Sequence, residues 1–255
     1  MRVKLRVVLL AASLILLTCM TTAGQTPGGA DEAVQREWAQ YEQAVRDSAT
    51  YRPENVLPLK PLTFDETTFS AKVVALTDFD YHRGWQFIPV DVWVTAVPEV
   101  QDKCRGFDGT GLELRLKQLL GLQPTAKIVS FVTIQVGPAD IFRPTVNPTP
   151  TSSLPCDNTG KEKYCGASFP KWVGNEYKAW VSDRMVSSYL VSNAHDRAYS
   201  YPWTRLGYTY DWIDTAPEKS HYGASEYVIR AGSVVNVTAI ESYTQYCSRP
   251  DGLPK

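Results

Sequence analysis

Residues 227–243 read Tyr-Val-Ile-Arg-Ala-Gly-Ser-Val-Val-Asn-Val-Thr-Ala-Ile-Glu-Ser-Tyr. Apolar and β-branched residues dominate this stretch, and Ala231-Gly232 interrupts it as a turn. The pattern predicts two closing strands, Tyr227 to Arg230 and Ser233 to Tyr243. Upstream, apolar and polar residues alternate over 69–75 and 88–96, and β-branched residues are frequent over 127–136, so three further strands are predicted there.

Other segments have helical periodicity. Val34, Trp38, Tyr41 and Val45 recur at steps of four, three and four, which predicts a helix from about Ala30 to Ser48. A short helix is predicted over 111–120, and a longer one over 171–191.

The remaining segments are predicted to be loops. Six prolines lie between Pro138 and Pro170, and we expect this loop on the surface. Residues 199–212 form an aromatic loop. Since helices and strands do not alternate regularly, the sequence predicts an α+β fold with a mostly antiparallel sheet, two or three packed helices and stabilising disulfides.

The first residues have the layout of an export signal. Three cations among Met1 to Arg6 precede eleven residues, Val7 to Leu17, that contain nothing more polar than Ser13. This order is typical of a secretory signal peptide. The apolar run is shorter than the about 20 residues that a membrane-spanning helix needs. We therefore expect residues 1–23 to be removed during export to the periplasm or outside the cell.

Two cleavage routes are open. Thr21-Thr22-Ala23 offers small residues for an ordinary signal peptidase. Leu16-Leu17-Thr18-Cys19 resembles a bacterial lipobox, in which Cys19 would be lipidated and would anchor the protein to a membrane. The first route is favoured because Thr18 and Leu17 are poor matches to the lipobox.

The remaining cysteines predict two disulfides. Four are left after Cys19, an even number in an oxidising compartment. Three pairings are open, of which Cys156–Cys165 and Cys104–Cys247 are preferred. A zinc site made of the four cysteines is the alternative, but no C-x-x-C spacing supports it.

Charge and length restrict the partners and the organisation. Removing residues 1–23 removes three basic residues and no acidic ones, which leaves 23 basic and 27 acidic residues and argues against a nucleic-acid partner. The predicted organisation is a signal peptide (1–23), an N-terminal helix with a Pro-rich linker (24–62) and a single α+β domain (63–255).

Strong catalytic or cofactor motifs are missing. The sequence contains no H-E-x-x-H, G-x-S-x-G, P-loop or G-x-G-x-x-G, and no metal or cofactor is predicted. His82, His195 and His221 are far apart, and no two have the spacing of metal ligands on a helix. Cys165 followed by Gly166 is superficially like a thiol-protease nucleophile, but the predicted disulfide would occupy it.

The densest cluster of chemistry lies in 201–229. Aromatic side chains with polar tips can wall a pocket, and Arg205, Tyr208, Tyr210 and Trp212 are the predicted binding residues. The candidate acids or bases nearby are Asp211, His221 and Glu226. The alternative is that these rings pack over the sheet edge and that Arg205 pairs with Asp211 or Glu226.

This segment also carries two resemblances. Pro202-Trp203 through Trp212, with Gly223 to Val228 after it, resembles a segment of uncharacterised exported bacterial proteins, for which no activity is known. Leu114 to Leu122 and Asp140 to Pro144 belong to the same resemblance.

A second resemblance is to ADP-ribosyltransferase toxins. Glu226, the apolar residues after it, Gly232 and the next strand are similar in layout to that family's catalytic segment. The resemblance implies NAD as substrate and Glu226 as the catalytic acid or base, with Arg143 and Ser187 as its Arg and Ser. Ala224 departs from the family pattern.

Two functional hypotheses follow. The first is a non-enzymatic envelope or secreted protein that binds a protein or small-molecule ligand through residues 199–227. The second is an extracytoplasmic enzyme in which Glu226 or Asp211 transfers protons and Arg205 holds an anion.

Overall fold

The computed structural model describes residues 29–156, 169, 171–192, 198–213 and 221–248. Within them, eight strands form one antiparallel sheet and five α-helices accompany it, which confirms the predicted α+β class. The strands are β1 (Ala71–Thr77), β2 (Gly84–Ile88), β3 (Val92–Ala96), β4 (Ser130–Val136), β5 (Ile141–Phe142), β6 (Tyr208–Tyr210), β7 (Tyr222–Ile229) and β8 (Ser233–Ser242). The helices are α1 (Gly29–Ser48), α2 (Glu99–Cys104), α3 (Leu112–Leu119), α4 (Asn175–Ser188) and α5 (Tyr243–Tyr246).

The sheet order is β2-β8-β4-β1-β3-β7-β5, and β6 also pairs with β7. The two closing strands are present, but they do not pair with each other across Ala231-Gly232. Instead, β8 lies between β2 and β4, and β7 begins beside β6 and ends between β3 and β5. The turn therefore connects two distant positions in the sheet.

This connection requires the sheet to curl. In a flat sheet, β7 and β8 would be four strand spacings apart, or about 19 Å. The four Cα–Cα steps from Ile229 to Ser233 can span at most about 14 Å. The edge strands lie beside the same connection, because Ile88 pairs with Ser233 and Ile141 pairs with Ile229. The sheet is accordingly a nearly closed, barrel-like layer.

The inner face of this curled sheet forms the main core. Each of the seven strands in the order above contributes buried side chains to one cluster, among them Ile88, Val132, Tyr227 and Val235. Because side chains alternate along a strand, the neighbouring residues point to the outer face. The helices cover part of that outer face: α2, α3 and α5 pack against β1 and β4, and α4 packs against β5 and β7.

One predicted strand is divided in the structure, and one helix was not predicted. The strand predicted over 88–96 is two strands, since Ile88 ends β2, and β3 begins only at Val92. Pro89 has no N–H to donate to a ladder and lies at this break. The helix α2 had no counterpart in the sequence analysis.

The predicted surface loop over 138–170 is wrong for its first part. Ile141, Phe142 and Thr145 are buried, and Arg143 is 0% exposed. The Arg143 guanidinium donates hydrogen bonds to the carbonyl oxygens of Lys60 (3.0 Å) and Ser152 (2.9 Å). Burying this segment is favourable because its arginine gathers carbonyl oxygens that would otherwise need water.

The N-terminal helix packs against the aromatic segment. Tyr41, Ala44 and Val45 of α1 form one buried cluster with Tyr210 and Trp212. The helix begins and ends within one residue of its predicted bounds. Residues 1–23, and with them the predicted export signal and Cys19, lie outside the described residues.

A disulfide joins Cys104 to Cys247, as predicted, across a sequence separation of 143 residues. It links the end of α2 to the residue after α5, and both cysteines belong to the cluster that covers β1 and β4. Cys156 is also in a disulfide, and its predicted partner Cys165 lies outside the described residues.

We expect the double variant Cys104→Ala/Cys247→Ala to lose about 5 kcal/mol of unfolding free energy, because a loop of this length strongly restricts the unfolded chain. Urea unfolding of wild type and variant without reductant measures this loss. Val100→Ala, a truncation in the same cluster, shows how much comes from packing alone. Equal unfolding midpoints for the double variant and wild type would contradict the prediction.

Candidate functional site

A cavity of about 230 Å³ lies between the outer face of the sheet and the ends of two helices. Its sheet wall contains Val74, Leu76, Trp93, Thr95 and Glu226. The opposite wall comes from three segments: the residues after α3, the last turn of α4, and the stretch that leads from α4 to β6. Their side chains are Leu120, Leu122, Arg184, Ser187, Ser188, Tyr199, Tyr201 and Thr209.

The strand register places Glu226 in this cavity. In β7, Tyr227 and Ile229 point into the main core, so Glu226 and Val228 point to the outer face. Glu226 pairs with Thr95 across the ladder, and Thr95 also lines the cavity. The sheet therefore fixes the carboxyl group at the back of the cavity, where the Glu226 side chain is 1% exposed.

The two oxygens of this carboxyl group differ. Oε2 accepts a hydrogen bond from the Tyr201 hydroxyl at 3.2 Å. Oε1 is buried and has no hydrogen-bond partner among the described residues. A buried polar atom without a partner costs about 1–3 kcal/mol, more if it is charged. Tyr201 therefore orients the group, and one oxygen remains available to something that enters the cavity.

Burial raises the pKa of Glu226 to about 8, although the Tyr201 hydrogen bond and the charge of Arg143 act in the opposite direction. Desolvation dominates because the charged form of a carboxyl group is far less stable in an apolar cavity than in water. At neutral pH the group is thus mainly the neutral acid. Burial also raises the pKa of Tyr201 well above its ordinary value, so its hydroxyl keeps its proton.

Aromatic rings form one side of the cavity. The ring of Trp93 lies 5.2 Å from that of Tyr201, measured between centroids, and is also in contact with Trp180 and Trp203 behind it. Trp203 is fixed by a hydrogen bond from its Nε1 to the Pro144 carbonyl oxygen at 3.2 Å. The wall is therefore held by a packed layer of rings.

Several polar side chains lie at the solvent-facing side of the cavity, and some of them have partners within the protein. Arg184 contacts Asp91 at 3.4 Å, and its side chain is 41% exposed. Tyr199 is also exposed. Ser187 donates its hydroxyl to the carbonyl oxygens of Asp183 and Arg184 within α4.

The other predicted acid or base residues lie elsewhere. Asp211 is buried and makes a bidentate ion pair with Arg115, at 3.0 Å and 2.6 Å. Its predicted alternative partner, Arg205, donates instead to the carbonyl oxygen of Ala49 at 2.7 Å. The structure thus brings neither Asp211 nor Arg205 to Glu226.

The predicted binding rings are buried. Tyr208 donates its hydroxyl to the Asn55 carbonyl oxygen, Tyr210 to Asp47, and Trp212 donates Nε1 to the Leu122 carbonyl oxygen. Their polar tips are satisfied within the protein, and they do not present a row of exposed rings. This arrangement agrees with the packing alternative for these three rings.

Tyr210, Trp212 and His221 also border a second, more polar concavity of about 440 Å³ beside α1. The His221 ring stacks on Tyr210 at 4.6 Å, and its Nδ1 lies 2.9 Å from the Asp211 carbonyl oxygen. Hydrogen bonds from Arg52 and Tyr210 lower the pKa of Asp47 in spite of its partial burial. Asp47 in this concavity is therefore paired with Arg52 and Tyr210.

Of the residues suggested by the transferase resemblance, Ser187 and Glu226 line the same cavity, whereas Arg143 does not. Arg143 donates to the Tyr227 hydroxyl at 2.6 Å and stacks on its ring. These contacts hold the loop after β5 against β7. Within the described residues, no group of three or more histidine, cysteine or acidic side chains is placed to bind a metal.

Sequence reasoning did not single out several residues that line the cavity. Trp93 and Thr95 belonged to a predicted strand, and Leu120 and Leu122 to a helix end. Tyr201 stood in the aromatic segment, but nothing marked it as the hydrogen-bond donor to Glu226. The available signal was the position of Glu226 directly before Tyr227, because side chains alternate along a strand and Glu226 therefore points to the face opposite to that of Tyr227.

We expect Glu226→Gln to change the pH dependence of stability. Between pH 4.5, the ordinary pKa, and about 8, the folded protein holds a proton that the unfolded chain has released. The free energy of unfolding therefore falls as pH rises across this window, by at most about 1.4 kcal/mol per pH unit. Glutamine does not titrate, so the stability of the variant relative to wild type should rise from pH 5 to pH 8.

Urea unfolding at each pH measures this difference. Glu66→Gln, at an exposed position, controls for the loss of one acidic residue. Parallel stability curves for wild type and Glu226→Gln would show that Glu226 has an ordinary pKa in the folded protein.

Neither the helices nor a comparison with known proteins indicates which chemistry this cavity supports. None of the helices in the described ranges has the length and hydropathy needed to cross a bilayer. No protein-family profile, no curated protein and no solved structure matches the chain.

Proposed function

We propose that this chain is an exported protein that binds a small ligand in the cavity lined by Glu226. The observation that carries the proposal is Oε1 of Glu226, a buried oxygen that has no hydrogen-bond partner among the described residues and lies in a cavity with mainly apolar walls. Ligand sites combine apolar walls with a few placed polar groups in the same way. The ligand would have an apolar body and one hydrogen-bonding group directed at Oε1.

Several features support binding by a largely preformed site. The rings behind Trp93 and the hydrogen bond from Tyr201 fix the walls and the carboxyl group before any ligand arrives. A preformed site loses little conformational entropy on binding. Tyr199, Tyr201, Thr209 and Glu226 all belong to residues 199–227, the region that the sequence favours for binding.

One observation supports the alternative hypothesis that the protein is an enzyme. A neutral carboxylic acid with a pKa of about 8 is suited to proton transfer near neutral pH. The transferase version needs room for NAD, and the cavity is smaller than the roughly 300–1,000 Å³ of common ligand sites. Arg143 also does not line it. We therefore favour binding without turnover.

The proposal of export is based on residues 1–23, in which basic residues are followed by an apolar run. The Cys104–Cys247 disulfide and the disulfide of Cys156 are consistent with an oxidising compartment. We expect mass spectrometry of the mature protein to find a start near Gly24, or a diacylglyceryl group on Cys19 if the lipobox is used. Material purified from a cell envelope or culture medium is the sample. An intact Met1 on protein that stays in the cytosol would contradict export.

We expect a panel of compact apolar compounds with one polar group to include ligands that raise the melting temperature, because binding to the folded state stabilises it by mass action. Leu122→Trp, which should fill the cavity, is expected to abolish the increase. Val129→Trp, at an exposed position that does not line the cavity, is the matched control. Stabilisation that persists unchanged in Leu122→Trp would place binding elsewhere and contradict the proposal.

A further inference from the structure

The charged groups at the Glu226 cavity restrict the class of ligand that it can bind. Glu226 is its acidic group, and the other described ionisable side chains that line it are Tyr201 and, at the solvent side, Tyr199 and Arg184. Arg184 is paired with Asp91 outside the cavity. Arg143 acts on Glu226 only through its charge, from beyond the cavity wall. An anionic ligand would therefore meet the carboxyl group without a dedicated cation beside it.

Two helices end at this cavity. Ser187 and Ser188, the last residues of α4, line it, and so does Leu120, the residue after α3. The carboxyl end of a helix carries a partial negative charge, which favours cations. The Tyr201 backbone N–H donates to the Ser188 carbonyl oxygen at 2.9 Å, and the Tyr201 hydroxyl oxygen, which donates its proton to Glu226, also lies 3.4 Å from the Leu120 carbonyl oxygen, so both helix ends lie next to this side chain.

The aromatic rings that line the cavity also favour a cation. The faces of tryptophan and tyrosine rings attract cations, most strongly where water is excluded. Trp93 and Tyr201 both line the cavity, next to the carboxyl group. Mainly apolar walls, aromatic rings, helix carboxyl ends and a buried acid together match an organic ammonium ion.

Resting on the proposed function, we infer that the ligand of this cavity is a primary ammonium compound with a compact apolar body, whose N–H groups bind Oε1 of Glu226. The ammonium group enters as the cation. The protonated Glu226 carboxyl group loses its proton to solvent, and the carboxylate and the ammonium ion form a buried pair. One proton is released for each ligand bound, and no covalent bond is formed or broken in the ligand.

This release couples affinity to pH. Because burial raises the pKa of Glu226 to about 8, the free site must lose a proton to bind at pH 7. Affinity for an ammonium ligand should therefore rise roughly tenfold per pH unit below pH 8, until the site is ionised. A neutral ligand that binds the protonated carboxyl group has no such dependence below pH 8.

The test uses phenethylamine and its neutral analogue 2-phenylethanol on the full mature protein. We expect phenethylamine to bind wild type at least tenfold more tightly than 2-phenylethanol at pH 8, and to bind Glu226→Gln at least tenfold more weakly. Calorimetry at pH 7 in buffers of different ionisation enthalpy should report release of close to one proton. Should Glu226→Gln fail to fold, Leu122→Trp, which leaves the carboxyl group in place, serves as the second variant.

The outcomes separate this inference from the proposed function. If 2-phenylethanol and phenethylamine bind equally, with no proton release, and Leu122→Trp abolishes both, the cavity binds ligands but the ammonium preference is wrong. If phenethylamine binds equally to wild type and Leu122→Trp, its site lies elsewhere and the inference fails. If phenethylamine does not bind wild type at millimolar concentration while other members of the compound panel do, the inference fails and the proposed function stands. If no compound binds the cavity, both fail.

Discussion

The three residues between β7 and β8 constrain the whole architecture. Arg230 to Gly232 connect strands that are four positions apart in the sheet order, which a flat sheet does not allow. Hydrogen bonds fix the connection on both sides: the Arg230 N–H donates to the Asp140 carbonyl oxygen and the Gly232 N–H to that of Ile88, at 2.8 Å and 2.7 Å. Gly232 adopts a positive φ of 88° here, which glycine tolerates best. The curl that results turns one sheet face into a closed core.

Once the inner face is closed, the outer face must carry both the helices and the site. The Cys104–Cys247 disulfide holds α2 and α5 over β1 and β4, and α4 covers the other end of the sheet. The cavity lies on the outer face between these two groups of helices. Gly223 allows this close packing, because a Cβ there would lie only 2.6 Å from the Thr209 carbonyl oxygen and closer still to that of Leu119. The absence of a side chain at Gly223 thus lets β7 approach Leu119 and Thr209 beside the cavity.

Glu226 lowers the stability of the fold and also provides the proposed contact to the ligand. A sheet position that points to a covered face would ordinarily hold an apolar residue, as Ala224 and Val228 do on the same strand. An acid there carries a desolvation cost, which is reduced by keeping its proton and by the Tyr201 hydrogen bond. A ligand that supplies a partner to Oε1 would recover part of that cost. The proposed specificity for an ammonium group follows from the same desolvation, since a buried carboxylate needs a matched cation.

The sequence by itself determined the local features: the α+β class, the positions of α1, α3 and most strands, and an even cysteine number that indicates disulfides, among which it favoured but did not fix Cys104–Cys247. These follow from the period of apolar residues and from the cysteine count, which depend on neighbours along the chain. Only the tertiary structure decided that β7 and β8 are not neighbours, that the loop after β5 is buried around Arg143, and that Tyr201 rather than Arg205 or Asp211 contacts Glu226. These depend on strand order and on hydrogen bonds between residues that are mostly distant in the sequence, which no local pattern specifies.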